Sequence, residues 1–153
     1  MILDLDNRAL AIAAAVIALS ASPARTVSAQ RSDARASNID SLKWQPSGIG
    51  ITSEVLDGNP DGPGEFTIAF HMKRGSFFAP HWHPGETRFV VVSGEIQLGF
   101  GDQLDTSSAT TVHAGGIGII PATAHHFEAA KSDATLVLYG PGPLKMIMVT
   151  RAP

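Results

Sequence analysis

Cysteine is absent from the 153 residues of this chain. Its absence excludes disulfide bonds, thiolate nucleophiles and sulfur ligands for metals, and with them Cys-based zinc fingers and iron–sulfur clusters. Any metal ion that this chain binds must use nitrogen and oxygen ligands. The lack of cysteine does not assign a compartment, because a protein without disulfides can also fold in an oxidising one.

Basic runs and long helical repeats are missing as well. The 11 Lys and Arg residues are scattered among 14 Asp and Glu residues, for a net charge of −3, which argues against nucleic acid as a partner. The 15 Gly and 10 Pro residues favour short strands joined by turns. With 44% hydrophobic and 16% charged residues, the composition is that of a folded protein, and the length predicts one globular domain.

The long apolar run, residues 9–19, is too short to cross about 30 Å of hydrocarbon, which takes ~20 residues. Small and polar residues follow it, and Val27-Ser28-Ala29 resembles a signal peptidase site. We therefore interpret residues 1–29 as a secretory signal, whose removal would leave an exported (periplasmic or secreted) protein without a membrane span. The alternative is an N-terminal helix of a cytoplasmic protein, because Ala-rich runs form good helices. Asp4 and Asp6 favour this alternative, since a secretory signal normally begins with basic residues.

Two further segments follow the predicted signal. Residues 30–42 are polar and are predicted to be a flexible lead-in, and residues 43–153 are predicted to be an all-β domain. In residues 65–73, for example, Phe66, Ile68, Phe70 and Met72 alternate with polar residues, as in a half-buried strand. Similar segments recur every eight to twelve residues with turn residues between them, which is typical of a β-barrel or β-sandwich. The predicted strands are 51–56, 65–73, 77–83, 87–93, 95–100, 110–113, 117–121, 126–130, 135–139 and 145–150.

Histidines in two of these strands form a candidate metal site. His81 and His83 are two residues apart, so an extended backbone places both side chains on one face, about 6–7 Å apart. That separation allows two imidazoles to converge on one cation with bonds of roughly 2.0–2.1 Å. His126 supplies a third imidazole downstream.

The segment around His81 and His83 resembles the first motif of the cupin superfamily. That motif is Gly, five residues, His-x-His, three or four residues, Glu, six residues, Gly. Here it reads Gly75, five residues, His81-Trp82-His83, three residues, Thr87, six residues, Gly94. The departure is Thr87, which occupies the position of the metal-binding Glu.

The segment around His126 resembles the second cupin motif, which is Gly, five residues, Pro-x-Gly, two residues, His, three residues, Asn. Here it reads Gly115, five residues, Pro121-Ala122-Thr123, two residues, His126, three residues, Ala130. The Gly and Asn of the motif are replaced, which affects the turn geometry but removes no metal ligand. The resemblance implies a small single-domain cupin-type β-barrel, jelly-roll-like, with the histidines at the barrel mouth.

Glu86 is the candidate for a carboxylate ligand. It precedes Thr87, so strand parity places it on the opposite face, but Pro84 and Gly85 allow a turn or bulge that would redirect it inward. Two sites therefore remain open: three histidines plus Glu86, which would then be a fourth ligand or a proton acceptor, or three histidines alone. The resemblance implies a divalent first-row metal ion, namely Fe, Mn, Ni or Zn, and imidazole suits several of these.

Two functions follow from the resemblance. The first is a metal-dependent oxidoreductase or dioxygenase-like enzyme that acts on a small enolisable or carboxylate-bearing compound. The second is a non-catalytic cupin module that binds or senses a small ligand or a metal. One scaffold hosts many chemistries, so the fold alone does not separate them. A homodimer is expected, because small barrels often cover strand edges by pairing with a second copy.

Overall fold

The structure is a computed structural model of the chain, and it describes residues 36–150. The predicted secretory signal, residues 1–29, and the helix that is its alternative lie outside the described residues. Residues from Ser37 onward form one compact unit. Within residues 36–150, no helix is long and apolar enough to cross a membrane.

The described chain contains a single 3-10 turn, Ile39–Ser41, followed by β-strands and their turns. The strands are β1 Gln45–Gly48, β2 Ile51–Asp57, β3 Gly64–Met72, β4 Phe77–Trp82, β5 Thr87–Ser93, β6 Glu95–Phe100, β7 Thr110–His113, β8 Ile117–Ile120, β9 His126–Ala130, β10 Ala134–Gly142 and β11 Ile147–Met148.

The strands form two antiparallel sheets. The six-stranded sheet has the order β1-β2-β3-β10-β5-β8, and the five-stranded sheet has the order β11-β4-β9-β6-β7. Neighbours in space are therefore mostly distant in sequence, as in a jelly roll. This arrangement confirms the prediction of an all-β, jelly-roll-like fold.

The core is built from both sheets. The alternating strand β3 buries Phe66, Ile68 and Met72, and β5 buries Phe89 and Val91 in the same cluster. The five-stranded sheet contributes Ile96 and Leu98 from β6. Along each strand, side chains that point inward alternate with side chains that point outward. Polar residues at inward positions are therefore buried as deeply as the apolar core residues.

Gly94, the last residue of the first cupin motif, connects β5 to β6. Its φ is 75°, a left-handed conformation that glycine adopts without strain. A Cβ at this position would lie 2.2 Å from the carbonyl oxygen of Asp133. A side chain would thus clash with backbone, which explains why the turn needs glycine.

Candidate metal centre

Two adjacent strands of the five-stranded sheet position the three histidines. His81 on β4 and His126 on β9 are direct antiparallel partners, and His83 follows the end of β4. The β4–β9 register shifts between Phe78 and His81, where β4 carries one extra residue. Pro80 lies in this irregular stretch, where its missing N–H costs no ladder hydrogen bond. The local bulge therefore sets the position of His81 opposite His126.

The three imidazoles form one buried cluster. His81, His83 and His126 are 1%, 4% and 0% exposed, and their candidate ligand atoms lie within 4.8 Å of one another. The ring centroids of His81 and His126 are 4.2 Å apart, and that of His83 lies 4.8 Å from the first and 5.2 Å from the second. The structure thus brings together the histidines that the sequence indicates.

A backbone carbonyl orients each ring. Nδ1 of His81 donates to the carbonyl of Ala79 at 2.8 Å, and Nδ1 of His126 donates to that of Ala124 at 2.9 Å. Nδ1 of His83 donates to the carbonyl of Lys145 at 2.8 Å, just before β11. A carbonyl oxygen can only accept, so Nδ1 carries the proton in all three rings. In the neutral rings Nε2 is then the free donor atom for a metal, the arrangement usual for metal-binding histidines.

The Nε2 atoms of His81 and His83 face each other at 3.2 Å. Burial is the main influence on both rings and lowers the pKa of each, so both are neutral near pH 7. Two neutral Nε2 acceptors cannot hydrogen-bond to each other, because neither carries a proton. A shared cation would satisfy both lone pairs.

Glu128 is the acidic residue of this cluster, and the sequence interpretation missed it. It lies two residues after His126 on β9, points to the same side, and is 3% exposed. Its Oε1 lies 3.5 Å from Nε2 of His126. Burial lowers the pKa of His126, but the Glu128 carboxylate outweighs burial, and the net pKa is raised. Parity along β9 would have found this residue, because a Glu two positions from an inward His also points inward.

Three buried polar atoms in the described part of the chain have no hydrogen-bond partner. They are Nε2 of His126, Oε2 of Glu128 and Oγ1 of Thr87. Burying a polar group without a partner is costly, and a buried carboxylate calls for a positive charge nearby. A divalent cation bound by the histidines would take the lone pair of the His126 Nε2 and would place a positive charge near the Glu128 carboxylate.

The distances fit such an ion. Two nitrogens bound to one ion at about 2.0–2.1 Å are at most about 4.2 Å apart, so the 3.2 Å between His81 and His83 suits neighbouring ligands. The widest separation in the cluster is up to 4.8 Å, which requires the rings to approach by about half an ångström when an ion binds.

Glu86 is not brought to the histidine cluster. Its carboxylate forms an ion pair with the guanidinium of Arg88, and its side chain is 40% exposed. The chain does bend at Pro84 and Gly85, but β5 then turns Thr87 inward and leaves Glu86 and Arg88 together on the outer side. In the structure, the carboxyl group next to the histidines is therefore that of Glu128 and not that of Glu86.

The remaining histidines in the described part of the chain have other partners. Nδ1 of His125 lies 2.6 Å from Asp102, and the side chain is 39% exposed. His113 pairs with Glu95, and His71 contacts the hydroxyl of Thr135. These contacts keep the three residues away from the metal-ligand cluster.

Thr123, which stands at the glycine position of the second motif, has a left-handed backbone conformation. Its φ is 62°, the left-handed region that β-branched residues rarely enter. Its N–H donates to the carbonyl of His83 at 2.8 Å. The turn before His126 is thus tied directly to His83, and the replacement of glycine leaves strain in this turn without moving the histidines apart.

A small cavity adjoins the cluster. Its volume is about 30 Å³, enough for one or two waters or an ion with a water. Its polar lining is His81, His83 and Glu128, and apolar side chains form the remaining wall: Phe70, Phe78, Leu136, Leu138, Leu144 and Met146.

The jelly roll and the histidines of both motifs define a cupin. The sequence model of the ChrR cupin-like domain family matches residues 32–144, and the chain belongs to this family. No curated protein matches the sequence.

Solved structures share the fold at low sequence identity. The polyketide cyclase RemF from Streptomyces resistomycificus is 19% identical with a TM-score of 0.62, over 78% of this chain and 87% of that chain. KdgF from Halomonas sp. is 20% identical with a TM-score of 0.56, over 69% of this chain and 93% of that chain. A chain in the complex of SigE with the anti-sigma ChrR from Rhodobacter sphaeroides is 18% identical with a TM-score of 0.52, over 67% of this chain and 50% of that chain. At these identities the likeness concerns the fold alone.

Proposed function

We propose that this protein is a mononuclear metal-dependent cupin enzyme whose ligands are the Nε2 atoms of His81, His83 and His126. One observation carries the proposal: all three Nδ1 atoms are used by backbone carbonyls, so all three Nε2 atoms are left to converge in a buried site. Imidazoles with a nearby carboxylate suit Fe, Mn, Ni and Zn ions.

The reaction we propose is an oxidoreductase or dioxygenase-like conversion of a small enolisable or carboxylate-bearing compound. When bound, a divalent ion with three neutral ligands supplies Lewis acidity and a positive charge that attracts an anionic oxygen. The imidazoles hold their orientation through the carbonyls of Ala79, Ala124 and Lys145. The site is thus organised before any ligand arrives.

Glu128 is the proposed proton acceptor of the site. Its Oε2 is buried without a partner, which leaves one carboxylate oxygen free to take a proton from an acidic C–H or O–H of the substrate. Leu136, Leu138 and Leu144 line the same cavity. These apolar side chains keep water away from Glu128 and strengthen its electrostatic interaction with a bound cation.

The second candidate function is a non-catalytic module that binds or senses a ligand or a metal. Membership of the ChrR cupin-like family supports it, since ChrR is an anti-sigma factor seen in complex with SigE. The two candidate functions differ in one measurable property, because only the enzyme converts a substrate to a product.

The test of the enzyme proposal is a substrate screen with the metal-loaded full chain. Oxygen uptake is measured against small β-diketones, enols and carboxylates, with Glu128→Gln as the matched variant. Uptake that Glu128→Gln abolishes at a metal concentration that saturates both proteins supports the enzyme. Stoichiometric metal without consumption of any compound favours the binding module.

We also propose a homodimer. Ile117 and Ile119 lie on the edge strand β8 and are 59% and 55% exposed, and an apolar edge strand is a common site of pairing with a second copy. Light scattering coupled to size exclusion should give the dimer mass for the full chain and the monomer mass for Ile119→Asp. A monomer in both would reject the dimer.

Export remains a proposal that rests on residues 9–29 of the sequence. It predicts that the protein recovered from the producing cells begins at Gln30. Intact mass measurement tests this directly, and a mature chain that retains residues 1–29 would contradict it.

A further inference from the structure

The cavity next to the histidines is too small for a substrate of several heavy atoms. Its volume of about 30 Å³ is enough for one or two waters. If the proposed function holds, the body of the substrate must lie elsewhere and only its reactive end can reach the metal site.

A much larger cavity shares a wall with the small one. Its volume is about 490 Å³, within the range of about 300–1,000 Å³ that is typical of ligand pockets. Phe70, Phe78 and Met146 line both cavities. The two cavities are therefore adjacent, and these three side chains form the wall between them.

The lining of the larger cavity is apolar and uncharged. Ile49, Ile51, Phe77 and Met148 contribute most of its other side chains, and none of the described residues that line it is ionisable. The hydroxyl of Ser76 already donates to the carbonyl of Lys73 at 2.7 Å. A ligand rich in hydroxyl groups would find few partners here and would lose its hydration, so the cavity selects an apolar ligand.

The shared wall can open without moving the strands. The rings of Phe70 and Phe78 pack edge to face at 5.3 Å, and the ring of Phe78 lies 6.2 Å from that of His81. Phe78 pairs with Glu128 across β4 and β9, so its backbone is fixed. Met146 is 45% exposed and has an unbranched, flexible side chain. A change of the Met146 rotamer would thus connect the two cavities.

We propose that the substrate is an apolar molecule with one anionic oxygen end, its body held in the larger cavity. The anionic end, an enolate or carboxylate, passes between Phe78 and Met146 to the histidine site. This inference rests on the proposed function, which it deepens by naming the substrate class. It excludes polyhydroxylated compounds such as sugar acids.

The test uses the full chain loaded with Zn²⁺ and the sodium salts of butyric, hexanoic and octanoic acids, with binding measured by calorimetry. Each added CH₂ should tighten binding about fourfold, so that octanoate binds on the order of 200-fold tighter than butyrate. Met148→Asp places a charge at the cavity wall and should weaken octanoate binding at least about tenfold. Val55→Asp is the matched control, because Val55 has the same 48% exposure as Met148 and lines neither cavity.

Several outcomes would overturn the inference. Affinity that is independent of chain length in Zn²⁺-loaded protein overturns it and leaves the proposed function intact. The inference is also overturned if the protein does not bind octanoate and forms a dimer that Met148→Asp dissociates. In that case a second copy of the chain occupies the cavity. If no metal binds, the proposed function fails, and binding of octan-1-ol then tests the apolar cavity by itself. Absence of octan-1-ol binding overturns the inference of an apolar ligand site. Octan-1-ol binding that Met148→Asp weakens supports that site.

Discussion

Oε1 of Glu128 lies 3.5 Å from Nε2 of His126, and Oε2 of the same carboxylate is buried without a partner. The two residues are neighbours on the same side of β9, opposite His81 and Phe78 on β4. The site therefore contains a carboxylate that neither of the two family motifs specifies. This relationship leads to the first prediction.

Replacing Glu128 by Gln should lower metal affinity, because it removes a buried negative charge beside the ligand nitrogen of His126; we expect a loss of about 10- to 100-fold, as for other residues that contact metal-binding histidines. Glu86→Gln is the matched control and should leave affinity unchanged, because Glu86 pairs with Arg88 at a partly exposed position. Competition with a chromophoric chelator measures both. Loss of affinity in Glu86→Gln alone would reverse the assignment of the carboxylate.

As the pH falls, His126 should be the first of the three ligands to be protonated, and metal affinity should fall with its protonation. The pKa of His126 is raised above its ordinary value of 6.5, whereas burial lowers the pKa of His81 and His83. A proton on His126 competes with the metal below the raised pKa, so affinity should be flat above it and fall about tenfold per pH unit below it. Chelator competition between about pH 5 and 8.5 measures the onset.

The same pH series in Glu128→Gln provides the control. Without the carboxylate, burial is the largest remaining influence on His126 and lowers its pKa, and the hydrogen bond to the Ala124 carbonyl, which raises the pKa, is a smaller one. The onset of metal loss should therefore move to lower pH. An unchanged onset would mean that Glu128 does not govern the protonation of His126.

Thr123→Gly should stabilise the protein. Thr123 has a φ of 62° and an exposed side chain, so glycine relieves about 1–2 kcal/mol of left-handed strain and costs about 0.5–1 kcal/mol in chain entropy. The net gain of up to about 1.5 kcal/mol corresponds to a rise in Tm of up to about 5 °C.

The control for this variant is Thr110→Gly. Thr110 is also exposed but lies in β7 without a positive φ, so glycine should lower Tm there. Differential scanning calorimetry compares the variants. A lower Tm for Thr123→Gly would show that the turn gains more from the threonine side chain than it loses in strain.

The strands were predictable because their side chains alternate. Most of the predicted strands coincide with β2 to β10 within a few residues, and His81, His83 and His126 form the predicted cluster. Strand β1 escaped prediction because Gln45, Pro46, Ser47 and Gly48 are all exposed and carry no apolar pattern. It is an edge strand that depends on pairing with β2.

The sequence left the carboxylate open, because strand parity placed Glu86 outward whereas Pro84 and Gly85 allowed a turn that would redirect it inward. Thr87 occupies the motif position, so the neighbouring Glu86 was the natural candidate, but parity along β5 keeps it on the outer side with Arg88. Parity along β9 places Glu128 beside His126. The larger cavity was beyond sequence reasoning, since its walls come from β1, β2, β3, β4 and β11 and the adjoining turns.

The most direct test of the central claim is metal content by ICP-MS of the full chain, purified without chelators, with His81→Ala, His126→Ala and His125→Ala alongside. His125 adjoins His126 but pairs with Asp102, which makes it the matched control. The account predicts near-stoichiometric Fe, Mn, Ni or Zn in the unmodified protein and in His125→Ala, and its loss from His81→Ala and His126→Ala. Absence of metal from the folded protein, even after anaerobic reconstitution with each ion, would contradict it.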